Sequence, residues 1–286
     1  MVGYEPKPCK DDSSNGRTLV ARTLRDADPG LPREIAPGVF CLEVGKGLMR
    51  SNIYFVHSGS QWTLIDAASA GCAGLIQKAA ESLFGLDLPP TSIMLTHNHP
   101  DHAGSARELA QTWNCPVWVH PDELPMVLGD VSTFHKYANP LDRWVVLPLL
   151  HLLGSRRTEA MLARASFKDV VRPLDVAADL PGLPDWEAVF TPGHTPGHIS
   201  FFRRSDRVLI TGDALVTVNL NSLGGLLLKK QRVSGPPWYT TWSWRAAKES
   251  VASLAKLEPT VVAGGHGIPL TGPDTSTRMR VFSDHF

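Results

Sequence analysis

Three histidines and one aspartate lie within the segment T-H-N-H-P-D-H, residues 96–102, directly after a short apolar run. His97 and His99 alternate, so their side chains share one face if the backbone there is extended. Asp101 and His102 follow at the expected start of a helix. Imidazole nitrogens and carboxylate oxygens are ligands that zinc and other divalent transition metals favour. The segment therefore predicts a metal site rather than a polar loop that happens to contain histidine.

Three further apolar runs each lead through a glycine to a residue of a metal-binding type. E-A-V-F-T-P-G-H ends at His194, R-V-L-I-T-G-D ends at Asp213, and T-V-V-A-G-G-H ends at His266. Each alone is a weak signal, because a single histidine is more often structural and an aspartate often caps a helix. Ligands of open α/β sheets gather beyond the carboxyl ends of strands. Together with the first cluster these residues give enough ligands for two metal ions.

The elements that must position these residues can be read from the spacing of apolar residues. Strands are predicted over residues 39–44, 52–57, 62–66, 92–96, 117–120, 186–191, 199–203, 207–211 and 260–263, and helices over 72–84, 102–113 and 244–257. Early strands followed by alternating strands and helices are typical of an α/β layered domain.

Composition shifts suggest how the chain is divided. Residues 1–33, rich in Asp, Ser, Pro and Arg, are predicted to be a flexible arm, and residues 34–272 the ordered domain. Residues 121–180 have little strand signal and are rich in leucine and aromatic residues, which predicts a mostly helical insertion. Residues 273–286 are left as a C-terminal tail.

Charge and hydropathy narrow the class of partner. Lys plus Arg and Asp plus Glu both number 28, so no basic surplus suggests a nucleic-acid partner. The longest apolar stretch falls short of the roughly 18 residues of a membrane span, and the N-terminus lacks a secretory pattern. The scattered cysteines form no C-x-x-C pair, which excludes a zinc ribbon. We therefore expect a cytoplasmic protein that acts on a small molecule without a membrane partner, and a homo-oligomer is compatible with the sequence.

A family resemblance rests on the combined motifs. The H-x-H-x-D-H cluster, T-P-G-H-T-P-G-H at 191–198, T-G-D at 211–213 and G-G-H at 264–266 resemble the metallo-β-lactamase superfamily over about residues 34–272. The resemblance implies a four-layer αββα sandwich with two divalent metal ions at one edge of its sheets. Zinc is expected, with iron or manganese as alternatives. Carried over residue by residue, the first metal would be held by His97, His99 and His194, the second by Asp101, His102 and His266, with Asp213 as the bridge.

The resemblance also implies a mechanism. A hydroxide that bridges the two metals would attack an electrophilic carbonyl, and Asp101 would be the catalytic residue that accepts or shuttles its proton. No serine or cysteine nucleophile is needed. Thr96, Thr191 and Thr195 are candidates for orienting the imidazole rings, although threonine is also common in strands and turns for other reasons.

Differences between this sequence and the motifs of subgroups of the superfamily reduce the number of reactions to consider. Asp213 is present and no cysteine lies near a ligand, which disfavours antibiotic hydrolysis and favours the branch of glyoxalase II-like thioesterases, lactonases and sulfur dioxygenases. Only about 20 residues follow His266, too few for the glutathione-holding segment of glyoxalase II. The tyrosine that quorum-quenching lactonases carry after the bridging aspartate is absent. Tyr239 is either its substitute or an ordinary loop aromatic.

Three functions remain open at this point. The first is a dinuclear hydrolase of a small carboxylic ester, thioester or lactone. The second is a mononuclear iron dioxygenase of persulfides, and the third a binding protein without catalysis. The insertion either roofs the metal site, with Phe134, Tyr137 and Trp144 contacting an acyl chain or another apolar group, or packs against its own core or a dimer partner.

Overall fold

A seven-stranded mixed sheet forms one half of the fold. Its strands, in both chain order and spatial order, are β1 (Arg33–Ala36), β2 (Val39–Val44), β3 (Ser51–Ser58), β4 (Gln61–Ile65), β5 (Ser92–Met94), β6 (Val117–Val119) and β7 (Val171–Pro173). The strands from β1 to β4 pair antiparallel, and those from β4 to β7 pair parallel. The structure is a computed structural model that describes residues 30–222, 224–225 and 230–286.

A second, smaller sheet faces the first. The remaining strands are β8 (Trp186–Phe190), β9 (Ile199–Arg203), β10 (Val208–Gly212), β11 (Val216–Val218), β12 (Gln231–Ser234) and β13 (Val261–Gly264). The second sheet has the order β13-β10-β9-β8, and β11 pairs with β12 in a separate ribbon. Since β10 and β13 run parallel, their carboxyl ends meet at one edge.

Helices cover the outer faces of both sheets. The α-helices are α1 (Ala73–Phe84), α2 (Pro100–Ala103), α3 (Ala106–Trp113), α4 (Leu124–Val127), α5 (Val131–Lys136), α6 (Leu147–Leu153), α7 (Ser155–Ala165), α8 (Trp244–Ala255) and α9 (Thr275–His285). A π-helical turn, Asp142–Val146, leads into α6, and 3₁₀ turns lie at Gly47–Met49 and Trp238–Thr240. Among the described residues, no helix is both long enough and apolar enough to cross a bilayer.

Three apolar clusters hold these layers together. Tyr54 and Met94 from the first sheet pack with Phe201 and Ile210 from the second, which makes the middle of the molecule. A second cluster lies between the first sheet and the helices α1 and α3, and a third between the second sheet and the helices α8 and α9. Because each sheet is covered on both faces, its central strands, such as β3, β9 and β10, are buried along nearly their whole length rather than alternating between buried and exposed residues. The predicted αββα sandwich is confirmed.

Some sequence boundaries differ from the structure. The single helix predicted over residues 102–113 is wrong, because the chain forms α2 and α3 with a break at Gly104 and Ser105. The backbone of residues 69–70 crosses there, and a Cβ on Gly104 would lie 2.3 Å from the Ala70 nitrogen. The Ser105 hydroxyl donates to the Ser69 carbonyl at 2.6 Å, which fixes the crossing.

The predicted divisions of the chain can be compared with the elements. Strand β1 begins at Arg33, the last residue assigned to the flexible arm, and residues 1–29 lie outside the described residues. Four helices and the π-helical turn lie in the predicted insertion 121–180, but its residues 171–173 form the edge strand β7. The segment left as a tail contains α9. The domain boundaries themselves stay predictions.

We expect Gly104→Ala to destabilise the fold, although alanine has the higher helix propensity. The added methyl would overlap the backbone of residues 69–70 and the Pro100 carbonyl, and backbone atoms cannot move aside as a flexible side chain can. Thermal unfolding should show a loss of about 1–3 kcal/mol, the usual range for overpacking.

Gly74→Ala in α1 is the matched control. A Cβ at Gly74 meets no atom within 4 Å, so this change should leave stability equal or slightly increased. Equal melting temperatures for the two variants would contradict the packing argument.

Candidate metal centre

The first four candidate ligands follow strand β5 and enter helix α2. His97 is fully buried three residues after the end of β5. His99 has an extended backbone (φ −62°, ψ 148°) and stands directly before Pro100, which begins α2. Proline keeps the preceding residue extended and fits the first position of a helix. Asp101 and His102 therefore lie in the first turn of α2.

The other three candidates come from loops at the ends of the second sheet. His194 lies in the loop between β8 and β9, Asp213 directly follows β10, and His266 follows β13. All three are buried. The structure thus brings residues from both sheets, which are far apart in the sequence, to one edge of the sandwich.

These seven residues form three overlapping groups. Within each group the ligand atoms lie within 4.8 Å of one another, and the groups are His97, His99 and His194; His97, His102 and Asp213; and Asp101, His102 and His266. The first and third match the two metal sites expected from the resemblance. The Nε2 atom of His194 lies 2.9 Å from Nδ1 of His99.

Asp213 connects the groups. Its Oδ2 lies 3.4 Å from Nε2 of His194 and 3.3 Å from Nε2 of His266. Its Oδ1 lies 3.5 Å from Nε2 of His102. One carboxylate therefore reaches imidazoles of both expected sites, which is the position required of a bridging ligand.

The side chains fit divalent metal ions. The hydrogen bonds around them show which nitrogen and oxygen atoms keep a lone pair that a metal ion could use. Thr96 Oγ1 has one proton and lies 2.9 Å from the Asp66 carboxylate, so it donates to Asp66 and accepts from Nδ1 of His97 at 3.0 Å. Nε2 of His97 is then an unprotonated acceptor, buried and without a hydrogen-bond partner. Nε2 of His102 and Oδ1 of Asp213, which lie 3.5 Å apart, are likewise buried without a hydrogen-bond partner. Buried polar atoms are almost always satisfied, so three such atoms around one point indicate an ion.

Asp66 is a site residue that the sequence analysis missed. Its carboxylate accepts from Nδ1 of His102 at 2.8 Å and from the Thr96 backbone N–H at 2.8 Å. It lies directly after β4 in a left-handed conformation (φ 61°) and is 1% exposed. A carboxylate that orients a ligating imidazole also strengthens it as a ligand. The signal was present, because W-T-L-I-D is another apolar strand that ends in a residue of a metal-binding type.

The imidazoles of His194 and His266 also have hydrogen-bond partners at Nδ1, the ring nitrogen that points away from the centre. Nδ1 of His194 lies 3.3 Å from Thr241 Oγ1, which itself donates to the Pro237 carbonyl at 2.6 Å. Nδ1 of His266 donates to the Arg50 carbonyl at 2.8 Å. With Nδ1 engaged in this way, Nε2 of His194 faces His99 and Asp213, and Nε2 of His266 faces Asp101 and Asp213.

The first two residues of β3, Ser51 and Asn52, support the expected second site. The hydroxyl of Ser51 donates to the Asp101 carbonyl. The amide of Asn52 donates to the carbonyls of Gly264 at 2.9 Å and Gly267 at 2.7 Å, on either side of His266. Neither residue carried a signal in the sequence, since their partners are about 50 and more than 200 positions away.

Glu123 ties together the loops that carry the ligands. It is fully buried, and its two oxygens accept from the backbone N–H of Asn98 at 3.0 Å and of Gly197 at 2.8 Å. Burial raises the pKa of this carboxyl, which these hydrogen bonds partly oppose. The residue holds the loop of His97 and His99 against the loop of His194.

His198, the second histidine of T-P-G-H-T-P-G-H, has a supporting role. Its Nε2 accepts from the Asp213 backbone N–H at 3.0 Å, so its Nδ1 carries the proton and donates to Thr191 Oγ1 at 2.9 Å. Burial lowers the pKa of His198 to about 3, which keeps the ring neutral. Of the three threonines suggested as orienting residues, Thr96 contacts a candidate ligand and Thr191 acts through His198. Thr195 is not among the hydrogen-bond partners of the imidazoles.

The pKa values of the candidate histidine ligands shift in two opposite directions. Burial lowers the pKa of His97 well below its usual value, and burial and the His99 ring do the same for His194, so both rings are neutral. Burial also disfavours the charged form of His102, but the charges of Asp213 and nearby carboxylates outweigh it and raise the pKa to about 9. Neutral imidazoles bind metals, so an ion at His102 must displace a proton.

The residues predicted to contact substrate lie in different places. Trp144, on the π-helical turn, lines a cavity beside His194, and Tyr137 packs edge-on against Trp242 of the opposite wall at 5.1 Å. Phe134 is half-buried on α5 and does not line that cavity. Burial raises the pKa of Tyr239, and the charges of Asp213 and Asp101 raise it further. The contacts of these residues with substrate stay predictions.

Comparison with known proteins adds a family assignment. Residues 47–266 match the family model described as the metallo-beta-lactamase superfamily. The probable metallo-hydrolase YflN of Bacillus subtilis is 36% identical over 252 residues, which cover 87% of this chain and 91% of YflN.

Solved structures share the fold. The metallo-beta-lactamase family protein TTHA1429 from Thermus thermophilus superposes with a TM-score of 0.62 at 22% identity, covering 88% of this chain and 80% of that one. AidC, a dizinc quorum-quenching lactonase, superposes with a TM-score of 0.54 at 17% identity, covering 79% and 74%.

We expect Asp66→Asn to weaken metal binding without unfolding the protein. Asparagine keeps the shape of aspartate, but one of its two acceptor oxygens is replaced by an N–H₂ group. That group would face a donor, either the Thr96 backbone N–H or the His102 Nδ1–H, and one hydrogen bond would be lost. Loss of such a partner typically lowers metal affinity about 10–100-fold. Competition with a chromophoric chelator measures the change.

Asp169→Asn is the control, because Asp169 is an exposed aspartate that also accepts several hydrogen bonds but lies on the surface beside Arg107. A chelator competition curve for Asp66→Asn that overlaid that of Asp169→Asn would show that Asp66 has no part in metal binding.

Proposed function

This chain belongs to the metallo-β-lactamase superfamily and is a metal-dependent hydrolase, and we propose that it hydrolyses a small carboxylic ester, thioester or lactone at a dinuclear centre. The observation that carries the proposal is Asp213, whose two oxygens lie within 3.5 Å of imidazoles from both ligand groups. A carboxylate in that position supports two ions rather than one, and disfavours the mononuclear dioxygenase. The complete ligand set likewise disfavours a binding protein without catalysis.

The chain's own groups have distinct parts in the reaction. Bound divalent ions supply Lewis acidity and make a water molecule acidic enough to be deprotonated near neutral pH. We assign the proton of that water to Asp101. Its side chain is 16% exposed, against 4% for Asp213, so it is the more accessible of the two carboxylates. The hydrogen bond from Ser51 to the Asp101 backbone carbonyl holds it there.

Tyr239 is the group that we propose to stabilise the oxygen of the attacked carbonyl. Its phenol is half-buried and senses the charges of both Asp213 and Asp101, and the resulting increase in pKa keeps the proton on the oxygen. A protonated phenol can donate to developing negative charge, which is the part that lactonases of this superfamily assign to a tyrosine elsewhere in the chain.

The metal is proposed to be zinc. The histidines of the centre offer imidazole nitrogens, and the carboxylates complete a nitrogen- and oxygen-rich set that zinc favours, although iron and manganese accept it too. AidC, which shares the fold, is a dizinc lactonase. A small molecule as substrate, no nucleic acid or membrane as partner, and a cytoplasmic location stay predictions.

We expect the protein to bind about two metal ions per chain and to hydrolyse members of a panel of aryl and alkyl esters, acyl thioesters and lactones. His99→Ala removes a ligand of the first group, so turnover should fall by more than about a hundredfold, since loss of a ligand's partner alone costs about 10–100-fold. Elemental analysis and initial rates measure both quantities.

His135→Ala, an exposed histidine on α5, is the control and should retain full activity. About one iron per chain, together with oxygen uptake on a persulfide, would replace the hydrolase proposal by the dioxygenase. Undiminished turnover in His99→Ala would refute the role of the centre.

We expect Tyr239→Phe to lower kcat by about a hundredfold, the usual effect of removing one donor to a developing oxyanion, while the metal content stays unchanged. Tyr137→Phe is the matched control. It removes the same hydroxyl but keeps the ring that packs on Trp242 and that is predicted to contact an apolar group, so it should change kcat little. Equal kcat values for the two variants would remove Tyr239 from the mechanism.

A further inference from the structure

Four tryptophans converge on one cavity beside the metal centre. The cavity encloses about 430 Å³, and its walls include Trp144, Trp238, Trp242, Trp244, Arg143 and Thr241. This volume lies within the range of small-molecule sites. All four indoles are at least 36% exposed, although exposed aromatic surface is costly in water.

Three of these indoles are held in place by aromatic rings outside the cavity. Trp242 packs against Tyr137 at 5.1 Å, Trp244 against Phe286 at 5.2 Å and Trp238 against Tyr239 at 5.9 Å, measured between ring centroids. Each contact is edge-on, the arrangement that aromatic pairs favour. These walls are therefore preorganised, and a ligand that binds between them need not order them.

The fourth indole has a different setting. Trp144 lies in the π-helical turn Asp142–Val146, is 82% exposed, and has no aromatic ring of the described residues stacked on it. Single π-helical turns are rare and are often found at functional sites. The turn presents the adjacent residue, Arg143, to the same cavity.

Arg143 gives the cavity a positive charge. Its Nε donates to the Ala138 carbonyl at 2.9 Å, which fixes the side chain. Within the described part of the chain no carboxylate forms an ion pair with it, because the neighbouring Asp142 accepts instead from the Asn139 backbone N–H. The remaining guanidinium donors are therefore available to an anion.

The cavity is tied to the metal centre through its wall. Thr241 lines the cavity and its hydroxyl lies 3.3 Å from Nδ1 of His194. The backbone N–H of the next residue, Trp242, donates to the His194 carbonyl at 3.1 Å. A group in the cavity thus lies one residue away from the ligands of the first group.

We infer that this cavity binds a flat aromatic group of the substrate, and that Arg143 holds an anionic substituent on that group. The inference rests on the proposed function, because it treats the bound group as part of the molecule that is hydrolysed. Indole faces favour stacked or edge-on rings over a flexible alkyl chain, and a guanidinium beside them favours an acidic ring over a neutral one. The substrate class is therefore an ester, thioester or lactone of an acidic aromatic compound.

The test measures binding by calorimetry on the metal-loaded protein, with no turnover. The probe is naphthalene-2-sulfonate, because a sulfonate is a poorer metal ligand than a carboxylate. Octane-1-sulfonate keeps the charge without the ring, and 2-naphthalenemethanol keeps the ring without the charge. We expect naphthalene-2-sulfonate to bind about fivefold more tightly than the alkyl sulfonate, from ring stacking. It should bind about threefold more tightly than the alcohol, the effect of a partly exposed charge.

Paired variants locate the binding site. Trp144→Leu should weaken naphthalene-2-sulfonate binding about fivefold, whereas Leu152→Ala, at an equally exposed residue of the adjoining helix outside the cavity, should not. Arg143→Gln should weaken binding about threefold and abolish the preference for the sulfonate over the alcohol. Arg156→Gln, at an exposed arginine of α7, should leave both unchanged.

Two results would overturn the inference. Equal or tighter binding of octane-1-sulfonate would show a groove for alkyl chains, and unchanged binding in both cavity variants would show that the probe binds elsewhere. Failure of the proposed function gives a different result.

If binding depended on Trp144 and Arg143 but no member of the panel were hydrolysed, the proposed function would be wrong and the inferred class of ligand would be retained. Hydrolysis that depends on His99, with cavity variants that bind as the wild type does, would overturn the cavity inference alone.

Discussion

The structure depends on a carboxylate buried among imidazoles. Asp213 is 4% exposed, and placing a carboxylate in such a site is costly unless opposite charges or donors surround it. Three imidazoles within 3.5 Å of its oxygens provide that surrounding. Burial lowers the pKa of His266, but the negative charge of Asp213 outweighs it and raises the pKa of that ring well above its usual value. In the absence of an ion, protons on His102 and His266 neutralise part of the charge that metals would neutralise.

That carboxylate also requires close approach of the backbone around it. A Cβ on Gly265 would lie 2.2 Å from Oδ1 of Asp213 and 2.7 Å from the His102 ring, so only glycine allows the ends of β10 and β13 to enclose the centre. Gly212 has a positive φ of 48°, and a Cβ there would contact Thr96 and His198. Gly212 and Gly265, two of the glycines that directly precede a candidate ligand, thus leave room for neighbouring imidazoles, and Gly212 also bends the chain.

The candidate ligands could be recognised in the sequence because they follow one local rule: an apolar strand leads to histidine or aspartate, directly in residues 96–102 and through a glycine at His194, Asp213 and His266. Asp66 obeys the rule without the glycine and was taken as the last residue of a strand, so its contact with His102, 36 positions away, went unseen. Glu123 and Asn52 could not be found by any local rule, because their work is to bind backbone groups of distant loops. The break at Gly104 was missed for the same reason, since it is set by residues 69–70 that pack across it.

The proposed active site therefore combines buried candidate ligands with an exposed cavity wall, and substitutions are tolerated less well among the ligands than in the wall. The ligands lie at the ends of buried strands, where imidazoles have partners behind them and any displacement would leave buried polar atoms unsatisfied. The opposite wall, with Arg143 and Trp144 on its π-helical turn, contains no buried residue in that turn. On the proposed function, substitutions in that turn should change which molecule fits without changing how the ions are held. Thr241 connects the two parts, because it lines the cavity and its hydroxyl lies 3.3 Å from Nδ1 of His194, so the proposed substrate cavity and the candidate first metal site share one residue.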